Sequence, residues 1–148
     1  MDILLVQNAV NLSILGILSY HDIRNMKLNG FILNVYLFTG ILTSILKYSQ
    51  FNFINIIPGL FLILTSFITE EKVGYGDGVL MLGMGFWMDV YTLAISCISG
   101  FIILSIYSIG LCMKDKILSG RIFLMRRIPM VPFLFIGSIV GIIYVKTV

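Results

Sequence analysis

Six apolar runs, at about residues 3–20, 31–46, 53–69, 79–88, 90–113 and 132–145, occupy most of this chain, and its charged residues fall between them. Of its 148 residues, 59% are hydrophobic and only 11% are charged, whereas a soluble domain carries about 25% charged residues. The expected fold is an all-α polytopic membrane protein: a bundle of about six transmembrane helices forming one domain over residues 1–148, in contact with the lipid bilayer. A β-barrel needs strict apolar–polar alternation, which runs such as Phe101-Ile102-Ile103-Leu104 lack. Secreted, soluble metabolic and DNA-binding roles are excluded on the same grounds. The net charge of +3 comes from short loops, where cations set topology and do not imply a nucleic acid partner.

The first run has no basic segment before it and no small-x-small cleavage site, and it ends in His21-Asp22-Ile23-Arg24, so it reads as a retained helix. Arg24, Lys27, Lys72, Lys114, Lys116, Arg121, Arg126 and Arg127 fall on one set of alternating loops, with Lys47 and Lys146 on the other. That asymmetry predicts cytoplasmic loops around 21–29, 70–77 and 114–129, with both termini outside. The fourth run is too short to cross a hydrocarbon core about 30 Å thick. Gly74, Gly76 and Gly78 therefore predict a recessed glycine-rich loop of irregular backbone ahead of it. Tyr20, Tyr48, Phe51, Trp87, Tyr91 and Tyr144 read as interfacial anchors, and Gly137-Ser138-Ile139-Val140-Gly141 as a packing motif inside the bundle. Cys97 and Cys112, without a CxxC pair or a nearby histidine, make neither a disulfide framework nor a metal site.

The acids are Asp2, Asp22, Glu70, Glu71, Asp77, Asp89 and Asp115. Asp2, Asp89 and Asp115 sit at run ends or in a charged loop and need no function. Asp22 and Asp77 lie where apolar helices meet the predicted cytoplasmic face, on the same side, and ionisable residues at such depth are candidates for function. Two carboxylates held close share a proton, so that one activates water while the other polarises a carbonyl. This aspartic-protease chemistry needs no metal, cofactor or nucleophilic side chain. The plainer alternative pairs Asp22 with Arg24 or Lys27 and makes Asp77 the cap of a helix starting at Gly78. His21, the single histidine, reads as a packing or capping residue, and Glu70 and Glu71 as a solvated loop or contacts for a basic substrate segment.

Three segments together resemble the type IV prepilin peptidases, a family of GxGD-type intramembrane aspartic proteases. Asp22-Ile23-Arg24 is similar to the D-x-R holding that family's first catalytic aspartate, and Glu71-Lys72-Val73-Gly74-Tyr75-Gly76-Asp77 to its E-x-x-G-x-G-D. Ile128-Pro129-Met130-Val131-Pro132-Phe133-Leu134-Phe135-Ile136-Gly137 is similar to its I-P-x-x-P-F-L-x-x-G. The resemblance runs through nearly the whole chain. It implies Asp22 and Asp77 as the catalytic pair, Gly74 and Gly76 as loop backbone at the site, and Arg24, Glu71, Pro129 and Pro132 as residues that support the aspartates or contact substrate. It also implies a partner, a prepilin-like precursor with a short basic leader ahead of a hydrophobic helix, and a home in the bacterial cytoplasmic membrane.

The chain departs from the family at two places: Leu28-Asn29-Gly30 stands where Pro-Asn is usual, and Val79 where a lysine follows the GxGD segment. It has neither the length nor the cysteine pairs of the methylating members, so the expected activity is leader removal without N-methylation, as in the small members that serve tight-adherence pili or related secretion systems. The alternatives are a non-catalytic relative that binds pilin-like helices and a small proton-coupled transporter. Against transport, the run from Val90 to Leu111 carries no charge.

Overall fold

The computed structural model describes residues 3–26, 28–46, 53–69, 74–119 and 128–147, and every regular element among them is helical. The order is α1 (Ile3–Asn25), α2 (Gly30–Leu46), a 3-10 turn (Phe53–Ile56) leading into α3 (Ile57–Ile68), α4 (Tyr75–Trp87), α5 (Val90–Ser119) and α6 (Val131–Thr147). The number of helices matches the number of apolar runs. By length and composition, α5 over Val90–Lys114 is the one helix among the described residues able to cross a membrane, while Gly30–Leu46, Phe53–Ile68 and Val131–Thr147 are apolar but shorter. α1 has the length, at 23 residues, but carries Gln7, Asn8 and Asn11 within it.

α4 lies against α2 and α3, α6 packs along α5, and α1 bridges to α6. Two sets of glycines permit this. Between α3 and α4, a β-carbon at Gly78 of α4 would come within 2.9 Å of the Ile63 backbone, and one at Gly59 of α3 within 2.5 Å of the Leu82 backbone. Along α6, Gly137 and Gly141 face Ser96 and Gly100 of α5 at backbone contact, so the GxxxG motif packs within the bundle, as expected. The core gathers Leu15, Leu18, Leu33, Leu80, Met84 and Leu134 around Tyr36.

Two expectations are corrected here. The glycine-rich segment is not a recessed irregular loop at Gly76 and Gly78: α4 already begins at Tyr75, with Gly74 extended at its N-cap. The glycines serve contact between helices, which outweighs their low helix propensity. Trp87 is not an interfacial anchor. It is buried, its ring stacks on Tyr36 at 6.1 Å, and its Nε1 donates to the Tyr36 carbonyl at 3.1 Å, over the gap left by Gly40.

The shortness of α4 holds: 13 residues rise only about 20 Å. Its end falls inside the bundle, where free carbonyls would be costly. Gln7 Nε2 donates to the Trp87 carbonyl at 3.0 Å and Asn55 Nδ2 to the Met88 carbonyl at 2.9 Å, so buried amides from α1 and the 3-10 turn close it. These contacts bring the start of α1 beside the end of α4. The end of α1 must then lie beside the start of α4, and the aspartates are carried to one end of the bundle.

Candidate active site

α1 runs past its apolar stretch for another turn and closes at Met26, whose φ of 50° is left-handed and whose N–H donates to the Asp22 carbonyl at 2.9 Å. Asp22 is thereby in the last turn of α1, beyond the apolar run, and only 7% exposed. Its Oδ2 accepts the Val131 N–H at 3.1 Å, and the adjoining Met130 amide also favours the charged form of this carboxyl. Both amides belong to the start of α6, where backbone N–H groups have no partner within the helix. Pro132, the second residue of that helix, has no N–H to satisfy and holds a φ suited to the first turn.

Asp77 lies in the first turn of α4, ahead of its apolar run, and its N–H donates to the Gly74 carbonyl at 3.1 Å. A β-carbon at Gly74 would sit 2.8 Å from Asp77 Oδ2, so glycine leaves room for the carboxyl to fold back over the helix start. Gly76 lies against Leu28, which approaches its β-carbon position to 3.0 Å, and this seats the start of α4 beside the turn into α2. In place of the usual Pro-Asn pair, Asn29 Oδ1 accepts the Phe31 N–H at 3.0 Å and caps α2.

The two carboxyls feel each other. Burial raises Asp77 to about 6, and the neighbouring Asp22 charge adds to this. Burial also raises Asp22, against the lowering effect of the Val131 and Met130 amides. Such a pair favours one proton between two carboxyls.

Two parts of the plainer reading, the Arg24 pairing of Asp22 and the Asp77 cap, are not seen among the described residues, while Lys27 lies outside them. The Arg24 guanidinium turns away to the Tyr20 hydroxyl, at 3.1 Å, and Asp77 is the third residue of a helix that starts at Tyr75, not the cap of one starting at Gly78. Arg24 is exposed at this end of the bundle. His21 lies with Nδ1 3.4 Å from the Asn25 amide and its ring edge-on to Tyr20. Pro129 and Pro132, both half-buried, flank the Met130–Val131 amides that hold Asp22. Val79 is in the apolar core, so no cation stands at that position. Glu71, Glu70, Lys72 and Lys27 lie outside the described residues.

Sequence reasoning missed the α6 amides as ligands of Asp22. The signal was a proline in the first turn of the last helix, on the same side as both aspartates. No family model, curated protein or solved structure matches the chain.

The room at Gly74 leads to a measurable expectation. Gly74→Ala displaces the Asp77 carboxyl without a backbone clash, and loses about 10- to 100-fold of any activity that depends on it while the thermal unfolding midpoint stays near wild type. Full activity in purified Gly74→Ala would show that the Asp77 carboxyl does not need its position.

Proposed function

We propose that the protein is a membrane-embedded aspartic endopeptidase that removes the short basic leader from prepilin-like precursors at the cytoplasmic face of the bacterial membrane, without N-methylation. The observation that carries this reading is that Asp22, at the end of α1, and Asp77, at the start of α4, lie at one end of the bundle, with the Asp22 charge helping to raise the Asp77 carboxyl. Its further support is that the described parts of the three segments resembling the prepilin peptidases lie near one another: Asp22 is bonded to the start of α6, and Gly76 at the start of α4 lies against Leu28 after α1.

In this reading the helices lie in the bilayer with the aspartate end toward the cytoplasm. Large apolar residues facing outward on α2, α3 and α5, among them Phe31, Phe38, Phe67 and Ile106, support a lipid surrounding. The precursor's hydrophobic helix partitions beside the bundle while its leader stays in water, which brings the bond between them to the carboxyl pair. One carboxylate takes a proton from water, whose oxygen adds to the scissile carbonyl carbon, and the other carboxyl donates its proton to the carbonyl oxygen. Collapse breaks the C–N bond, and the departing amine takes up a proton.

Co-expression of the wild-type protein with a prepilin-like precursor from the same genome tests this. The expected result is a shift in precursor mobility, with N-terminal sequencing placing the new terminus just ahead of the hydrophobic helix. A precursor that co-purifies intact with the wild-type protein would overturn the peptidase reading in favour of a non-catalytic binding relative.

A further inference from the structure

We propose that the two aspartates have fixed and different roles: Asp22 is the base, held as the carboxylate by the first amides of α6, and Asp77 is the acid that carries the shared proton. The assignment rests on the peptidase reading for its chemistry and on hydrogen-bond geometry for its direction. The Val131 N–H bonds to the Asp22 carboxyl at 3.1 Å, and the adjoining Met130 amide also favours its charged form. Both come from a helix start, where the dipole favours negative charge, and hydrogen bonds to an ionised acceptor are roughly twice as strong as neutral ones. No group among the described residues donates a hydrogen bond to the Asp77 carboxyl. The dipole of α4 also favours charge at Asp77, but without a direct N–H bond to the carboxyl this is the weaker effect.

Among the described residues few other titratable groups face the pair. From α4, Asp77 feels the Asp22 charge, and Tyr75 of that helix packs on Phe67. On α1 itself Arg24 and His21 turn to Tyr20 and Asn25. α2 carries no charged residue, and Tyr144 and Lys146 lie at the far end of α6.

A carboxylate offers about four lone-pair positions, so Asp22 accepts the Val131 amide and still takes a proton from water. The water oxygen bonds to the scissile carbon as the Asp77 proton passes to the carbonyl oxygen. On collapse a hydroxyl of the intermediate returns its proton to Asp77, the C–N bond breaks, and the amine leaves with the proton held by Asp22. The start of α6 is then a positioning element acting through Asp22, which gives the third segment a physical role.

Two measurements on the full-length protein in nanodiscs test the assignment. Isotope-edited infrared spectroscopy at about pH 5.5, where ordinary carboxyls are ionised, is expected to show a protonated aspartate that disappears in Asp77→Asn. Its survival in Asp77→Asn overturns the assignment. The second measurement is the pH profile of kcat/KM with a synthetic precursor bearing a basic leader. Val131→Pro deletes one N–H at a helix position that tolerates proline, and is expected to move the acid limb up by about one pH unit relative to Val131→Ala, which shortens the side chain and keeps the N–H. Equal acid limbs in the two variants overturn it. If Val131→Pro does not fold, the infrared result decides. Failure of wild type to cleave, with the infrared band still lost in Asp77→Asn, refutes the peptidase function and leaves the proton on Asp77. Cleavage by wild type with the band surviving in Asp77→Asn refutes the assignment alone.

Discussion

Asp22→Asn and Asp77→Asn each remove leader cleavage, with turnover down by about 10³- to 10⁴-fold, while both proteins still insert and fold. The chemistry needs one carboxylate to take a proton and one carboxyl to give it, and an amide does neither at any accessible pH. Asp22→Asn keeps an oxygen that accepts from the α6 amides, so the link between α1 and α6 survives. Asp77→Asn has a second effect. The Asp77 carboxyl binds its proton more tightly in the fold than in the unfolded chain, because burial, and then the Asp22 charge, disfavour its ionised form. Its stabilising contribution is complete below its ordinary value near 3.8 and is lost as pH rises through about 6. A neutral amide removes that loss, so above pH 6 Asp77→Asn is more stable than wild type by about 1–3 kcal/mol and unfolds at higher temperature. Activity of wild type falls over the same interval as the acid of the pair deprotonates. Cleavage assays and thermal unfolding between about pH 5 and 8 check both parts. Near-normal turnover in either variant would remove the carboxyl pair from the mechanism, and parallel pH–stability curves for wild type and Asp77→Asn would show that Asp77 is not a strained carboxyl.

The helices were legible because apolar runs broken by charge and glycine state where a chain leaves an apolar phase. Where a helix ends is a different question. α1 continues past Tyr20 through Asp22 to Asn25, and α5 past Met113 through Lys114, Asp115 and Lys116, because charged residues end an apolar stretch without opposing helical backbone. The reverse error arose at Gly76 and Gly78, whose weak propensity suggested irregular backbone while tertiary contact with Leu28 and Ile63 holds them helical. Asp22 and Asp77 stood out because acids are few and both fall on one side. Their partners did not, since the donors at Asp22 are backbone amides, which every residue but proline carries. Gln7 and Asn55 were hidden for a related reason: an amide inside an apolar run has no visible task until the end of α4 is found beside it.

Gly137→Val and Gly110→Ala, two glycine substitutions on the α5–α6 pair, have opposite effects. A β-carbon at Gly137 meets the Ser96 carbonyl and lies 2.8 Å from the Gly100 nitrogen, atoms of the facing backbone that no rotamer can move. Valine there forces the helices apart and costs about 3 kcal/mol or more, the upper part of the range for overpacking. At Gly110 nothing lies within 4 Å of the added carbon. Alanine there gains about 1 kcal/mol, because helical backbone costs glycine more entropy and the surroundings impose no opposing contact. Thermal unfolding of the two variants in nanodiscs reads both signs, and a Gly137→Val protein as stable as wild type would show that α6 does not lie on α5 at backbone contact. The loss extends to the site. Gly137 is six residues, about 9 Å, along α6 from Val131, so moving the helix off α5 shifts the amides that hold Asp22. The folded fraction of Gly137→Val therefore loses more cleavage per molecule than any stability loss explains, whereas Gly110→Ala, on a stretch of α5 that touches neither aspartate, keeps wild-type cleavage.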